Sequence, residues 1–334
     1  MNDSSNIAPL DEEFKNNYSW LQVGTVTNVS LRPVISGNTT ETDNYLCKSI
    51  GLTGWFGVDK MTELRKDMIV IYDQENNCIQ ENEPNINLQN LIIEKANNLY
   101  IYFMAPGMCK LAVDMFDQLQ NLKIVQCKMS FCKKYVVEVK CIDCGNEAAE
   151  WISKYLNKPT LRLAYALIEP ETPSYFWHQL KQAYRLEPDE RNIVIPFNTI
   201  PRYTLLSHQS LIELSKVSSY HNDQNHFSPD ICFTPLSTIP FIEFEWEWIM
   251  VGKAIMRNVK PWDSSILDPK QMPMDMKMNL MLLHCEIYQP GSVRTGDSVY
   301  VSQPLTDNTL DTKGKIDLTL TSSLKHSITT AIAE

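Results

Sequence analysis

The sequence predicts an α+β fold, mostly β and built around a barrel, and three observations carry that expectation. Short apolar and β-branched runs recur at 68–72, 88–94, 99–103, 122–127 and 135–139, each bounded by Asn, Asp, Gly or Pro. Such closely spaced strands suit a barrel or sandwich better than alternating parallel βαβ units. Residues 20–31 alternate valine, threonine and leucine with polar residues, which reads as a first strand broken at Pro33. Strand-like runs resume late in the chain, at 231–233, 246–251, 254–259, 282–287 and 298–301.

A few helices join these β-rich halves. In 146–156, Ala149, Ile152, Tyr155 and Leu156 fall on one helical face, with Asp143 as the N-cap. A second helix is expected from Ser207 or His208 to Lys216, and a weaker third over 174–184. The stretch 241–248 alternates acids with large apolar residues, the pattern of a strand with one buried and one wet face; an exposed acidic aromatic ridge is the functional alternative. Residues 303–334 lack aromatic side chains and are rich in Ser, Thr, Asp and Lys, so a loosely ordered tail is expected there, with an added strand through Ile316, Leu318 and Leu320 as the alternative.

Composition narrows the function classes. The 334 residues are 43% hydrophobic, enough for one large core or two modest ones, and the net charge of −10 argues against sequence-independent nucleic-acid binding, which needs a basic face. No run approaches the roughly 18 apolar residues of a membrane span. The acidic first twenty residues fit neither a secretory signal nor an arginine-rich transit peptide. An intracellular, cytoplasmic chain with reduced thiols is expected, since the nine cysteines lack a disulfide-framework spacing.

Individual motifs have bland and functional readings. Cys127, Cys132, Cys141 and Cys144 pair as C-x4-C and C-x2-C, a pattern able to close a structural zinc tetrahedron; the alternative is reduced thiols on strands. His208, His221 and His226 lack the acidic spacing of a zinc helix, and no phosphate-loop, dinucleotide or nucleophile-elbow motif occurs. Met272, Met274, Met276, Met278 and Met281 form either an adaptable binding surface or a flexible loop.

Several landmarks occur in an order that resembles the MOSC-domain proteins of the mitochondrial amidoxime-reducing component family. Arg32-Pro33-Val34 is similar to that family's Tyr-Pro-Val-Lys-Ser turn, and Leu64-Arg65-Lys66-Asp67 to its Leu-Arg-Asp-Arg segment. Glu83-Pro84 falls at its Gln-Glu-Pro, and Asp143-Cys144-Gly145 at its Asp-Cys-Gly helix start. Phe227-Ser228-Pro229-Asp230-Ile231 resembles its Phe-Arg-Pro-Asn-Ile, and 290–297 its ending. The resemblance implies a MOSC fold: a polar tail at 1–20, a β-barrel region at 21–145, a helix and connection at 146–164, a second barrel domain at 165–302 and a polar tail at 303–334. It also implies a molybdenum pterin cofactor held by one cysteine thiolate and by cations on the pterin phosphate. Reduction of N-hydroxylated compounds with electrons from a cytochrome b5-type partner would follow, and association with the mitochondrial outer membrane is the localisation alternative.

The family's cofactor positions are altered here. Residues 258–269 resemble its metal-binding loop, yet no cysteine lies between Cys232 and Cys285. Ser265 stands at the ligand position, or Trp262 under the other gap placement, and a serine hydroxyl is a poorer molybdenum donor than a thiolate. Ile35 replaces the turn lysine, Asp67 and Glu81 replace arginines, and Ser228 replaces the arginine of Phe-Arg-Pro, so a phosphate is expected to be repelled. Lys260 and Arg202 could compensate in part. The expected function is a binding or regulatory protein that has lost molybdenum catalysis. A working molybdenum reductase with a rearranged site and a metal-free small-ligand carrier are the alternatives.

Overall fold

The computed structural model describes residues 18–35, 37, 39, 45–49, 51–56, 62–79, 86, 88, 90–96, 100–121, 123–132, 135–167, 193–196, 202–217, 229–258 and 282–304. The first part holds β1 (Tyr18–Val29), β2 (Tyr45–Lys48), β3 (Gly51–Phe56), β4 (Thr62–Arg65), β5 (Ile69–Tyr72), β6 (Ile92–Ala96), β7 (Tyr100–Met104) and β8 (Leu111–Asp114). A short helix, α1 (Met115–Gln120), leads to β9 (Ile124–Cys132), β10 (Tyr135–Asp143), α2 (Asn146–Tyr155), β11 (Arg162–Ala166) and β12 (Ile193–Pro196). There follow β13 (Tyr203–Ser207), α3 (His208–Val217), β14 (Ile231–Pro235), a 3-10 turn (Ile242–Glu245), β15 (Trp248–Val251), β16 (Ala254–Asn258), β17 (Leu283–Gln289), β18 (Gly291–Val293) and β19 (Ser298–Pro304). The expected mostly β, α+β architecture is what forms.

Seven strands close a barrel in the order β1, β14, β13, β17, β16, β15, β19, with β1 pairing back to both β14 and β19. The long first strand therefore belongs to the same barrel as the strands after residue 202. It bends through irregularities between Gln22 and Gly24 and between Val26 and Asn28, which is how a long strand follows barrel curvature. Gly24 is required at the first bend, because a Cβ there would lie 2.6 Å from the Thr234 carbonyl oxygen. Val26, Leu205, Phe233, Ile249, Met256 and Leu283 are fully or almost fully buried in the core.

The other strands form three sheets: β12, β10, β11 and β5 with β9 added on β10; β18, β2, β3 and β4; and β6, β7 and β8. Because β18 pairs with β2 and β19 with β1, the first and last described stretches are joined twice. In α2, Ala148, Ala149, Trp151 and Ile152 are buried, and the Trp151 indole donates to the Cys109 carbonyl at 2.6 Å. Among the described residues, no helix is long and apolar enough to cross a membrane.

Four local expectations need correction. Asp143 does not cap α2: the N-cap is Gly145, with no side-chain cap bond. The Asp143 carboxylate is instead gripped by Arg162 through two 2.6 Å bonds and accepts from the Tyr72 hydroxyl. The strand over 241–248 is a turn and 3-10 helix as far as Glu245, because Glu243 is drawn inward to accept from the Ser207 N-H at 2.8 Å. The run at 88–94 enters its strand only at Ile92, although Leu88 and Leu91 are buried before it. Residues 303 and 304 belong to β19, while 305–334, the helix expected over 174–184 and the methionines from Met272 to Met281 lie outside the described residues.

Candidate functional site

Between β4 and β5 the chain turns through Lys66 and Asp67. Asp67 takes φ of 53°, a left-handed conformation that Asp and Asn adopt more readily than other side-chain-bearing residues. Backbone bonds pin the turn, since Lys66 N donates to Leu52 O and Asp67 N to Arg32 O, each at 2.9 Å. From here the Lys66 ammonium reaches Asp230 Oδ2 at 2.7 Å and the Arg202 carbonyl at 3.2 Å. Asp230 also accepts from Thr204 N at 2.8 Å and from Thr204 Oγ1 at 3.0 Å. These residues sit where the parallel strands β13 and β14 begin, so barrel geometry fixes one side of the cluster and the β4–β5 turn the other.

Three cations act on the Asp67 carboxyl: Lys66, Arg32 and Arg202, from three separate stretches of chain. Burial is the largest influence on Asp67 and raises its pKa; Lys66 opposes that, Asp230 adds to it, Arg32 and Arg202 oppose it, and the outcome is a pKa above the ordinary carboxylate range. A carboxyl whose charged form is disfavoured despite three neighbouring cations is held by desolvation more than by pairing. Asp67 makes no ion pair within 4.0 Å to a described residue. Arg32 Nε is buried with no hydrogen-bond partner among the described residues, an arrangement that costs free energy unless something else meets it. The buried stem of Arg202 lies under Gly51, whose Cβ position is 3.9 Å from Arg202 Cβ.

Of the cofactor positions singled out in the sequence, Ile35 and Asp67 are described, while Glu81, Ser228, Lys260, Trp262 and Ser265 lie outside the described residues. Ile35 is buried and its N-H donates to Ile69 O at 2.9 Å. The two positions lie on paired stretches of chain, because Val34 bridges Ile69 and Met68 N donates to Pro33 O. Sequence reasoning missed Arg32, Lys66 and Asp230 as a group, although a signal was present. In the resembled motifs these positions carry a tyrosine, an aspartate and an asparagine, and in this structure Lys66 and Asp230 meet as the 2.7 Å ion pair.

The described residues do not fit an anionic molybdenum cofactor. Cys47 lies beside the network, but burial first and Asp230 second push its thiol well above the ordinary range, against a smaller opposing bond from Tyr203. Lys66 is paired with Asp230, and Asp67, a position that the resemblance assigns to the cofactor's cations, carries a carboxyl. The zinc pattern does not assemble either. Cys127 lies opposite Val139 and one diagonal step from Cys141 on paired β9 and β10, whereas Cys144 follows the end of β10. Among the described residues, no group of three or more His, Cys, Asp or Glu is arranged to hold a metal ion.

Comparison with known proteins agrees with the landmarks. No family model matches the chain. Human mitochondrial amidoxime reducing component 2 is 25% identical over 307 residues, covering 84% of this chain and 84% of that protein. The rat component 2 is 25% identical over 288 residues, covering 85% and 78%, and mouse component 1 is 21% identical over 306 residues, covering 84% and 83%. The chain resembles the mitochondrial amidoxime-reducing components. The resemblance extends over most of this chain and most of the length of those components. A solution structure from Bordetella bronchiseptica covers 30% of this chain at 20% identity with a TM-score of 0.22, too slight a likeness to bear on the fold.

Proposed function

We propose that this chain is a MOSC-type relative of the amidoxime-reducing components that binds a ligand or partner and no longer performs molybdenum-dependent reduction. The observation that carries this reading is the Lys66–Asp230 ion pair with Asp67 beside it. A decaying phosphate grip would lose cations independently. Here the two positions that differ in charge from the resembled motifs, Lys66 and Asp230, pair at 2.7 Å, which supports a site rewired rather than merely eroded. Ion pairing of this kind, with Asp230 almost fully buried, is costly to break once formed. The same residues would have to release Lys66 to hold a pterin phosphate, and Asp67 would still face it.

Under this reading the cytochrome b5-type partner expected of the family has no metal to reduce, and Ser265 is not a metal ligand. The test uses full-length protein from a host that makes the molybdenum pterin, supplied with cytochrome b5, its reductase and an N-hydroxylated substrate. No turnover above the protein-free rate is expected. Turnover that disappears in Ser265→Ala would overturn the proposal and establish a reductase with a serine at its metal.

A further inference from the structure

Three buried cysteines from separate stretches of chain meet on one face of the sheet that contains β9 and β10. Cys127 on β9 lies opposite Val139 on β10, and Cys141, two residues further along β10, is its diagonal neighbour on the same face. Cys78 comes from the turn after β5 and is laid against β9 by two backbone bonds: Cys78 N donates to Lys128 O at 2.7 Å and Lys128 N to Asn76 O at 2.6 Å. That register sets Asn77 beside Lys128. Side chains alternate along a strand, so Cys78 and Cys127 project together to the other side. The thiols are in contact, because the Cys127 sulfur accepts hydrogen bonds from both the Cys141 and the Cys78 thiol. These contacts sort the three by role. The Cys141 bond first and the Cys78 bond second hold the Cys127 pKa below the ordinary thiol range, against burial and the carboxylates of Asp143 and Asp73. The Cys78 and Cys141 thiols are each pushed up, by the bond to Cys127 first and by burial second. Cys127 therefore carries the thiolate while its neighbours keep their protons. The thiolate is the nucleophilic form of cysteine, and a second thiol within reach is what turns an oxidised cysteine into a disulfide.

We propose that Cys127 is a peroxide-reactive site and that Cys78 resolves it to a reversible Cys78–Cys127 disulfide. The Cys127 sulfur attacks one oxygen of hydrogen peroxide; the S–O bond forms, the O–O bond breaks, and hydroxide leaves, taking up the proton that Cys127 had released. The Cys78 sulfur, giving up its proton, then attacks the Cys127 sulfur; the S–S bond forms, the S–O bond breaks, and water leaves. Two thiols and one peroxide thus become one disulfide and two waters. Cys78 resolves in preference to Cys141 for a geometric reason. Cys141 is fixed in ladders on both sides, to β9 and to Ala166 of β11, and a diagonal pair in a regular ladder has Cα atoms about 7–8 Å apart, too far for a disulfide. Cys78 is held by isolated bridges, so a shift toward β9 disturbs fewer backbone bonds. Cys78 is also 6% exposed where Cys127 and Cys141 are fully covered, which makes its side of the cluster the entry for a small oxidant.

The experiment exposes reduced full-length protein to hydrogen peroxide under native conditions, quenches it at set times with iodoacetamide in denaturant, and follows each cysteine by peptide mass spectrometry. Cys285 is the internal reference, since it is equally covered and burial pushes its thiol up. Free Cys127 is expected to disappear about tenfold faster than free Cys285, as its thiolate character dictates, and to reappear as a Cys78–Cys127 disulfide peptide that dithiothreitol reverses. In Cys78→Ser the reaction should stop at a Cys127 sulfenic acid trapped by dimedone. Cys141→Ser keeps a hydrogen-bond donor beside Cys127 and should still form the disulfide. Loss of Cys127 no faster than loss of Cys285 overturns the proposal, and so does a disulfide that joins Cys127 to Cys141 instead. The wild-type comparison needs no substitution, so it decides the matter even where a variant fails to fold. The reductase assay is independent of it: turnover of an N-hydroxylated substrate defeats the proposed function and leaves the Cys127 site untouched, and an inert Cys127 does the reverse.

Discussion

Two buried acids respond to pH in opposite directions, and each direction follows from what the side chain touches. For Asp143, burial alone would raise the pKa, but the Arg162 guanidinium, the Tyr72 hydroxyl and the Gly145 N-H outweigh it and hold the carboxyl below its ordinary value. A lowered folded pKa gives stability that is present above the unfolded value and is lost as pH falls through the folded one. Asp143→Asn is therefore expected to cost about 3 kcal/mol near neutral pH, because it leaves Arg162 without its buried partner, and to flatten the acid limb of Tm against pH. Glu243 behaves inversely: burial is the largest influence and raises its pKa, and the bonds from Ser207 and Ser210 only partly compensate. Its stabilising share is complete below the unfolded pKa and is lost as pH rises through the folded one. Glu243→Gln keeps an acceptor for the Ser207 N-H and removes that loss, so its Tm should fall less than that of wild type when pH 8 is compared with pH 4.

At the level of elements, the end of β13 shows where local sequence was decisive and where it was not. The helix start at Ser207 or His208 was legible because serine is a preferred N-cap, and Ser207 Oγ accepts from the Ser210 N-H at 3.1 Å, the bond such a cap makes. Ser207→Ala should lower stability by about 1 kcal/mol, measured by denaturant unfolding, with α3 losing protection in hydrogen exchange before the barrel does. The neighbouring segment misled for a physical reason. Alternation of acids and aromatics over 241–248 reports a strand only when every acid faces water, and Glu243 is fully buried beneath α3. Its long-range bond to Ser207, 36 residues away, overrides the local period, and Phe241 turns with φ of 62° to let it. The Asp143 cap failed similarly, since Arg162 competes for that carboxylate from β11.

For the molecule as a whole, the fold class was readable from short, regularly punctuated strands, but the closure of the barrel was not. Nothing in residues 18–29 announces that they pair with strands more than 200 residues later, because pairing partners leave no periodic trace. The site was half legible for the same reason. Individual replacements at Ile35 and Asp67 could be seen against the family pattern, whereas the convergence of Arg32, Lys66, Arg202 and Asp230 depends on which ends of β4, β13 and β14 the barrel brings together. Arg32 and Lys66 are each close in sequence to a position, Ile35 and Asp67, where the resembled pattern has a cation and this chain does not. The proposed loss of molybdenum catalysis rests on this cluster, in which Lys66 is paired with Asp230 and Asp67 stands beside them. The most direct measurement is the molybdenum-to-protein ratio, by inductively coupled plasma mass spectrometry, of full-length protein purified from a host that makes the cofactor. A ratio far below stoichiometric is expected, and near-stoichiometric molybdenum that persists through purification would contradict the loss of the cofactor site.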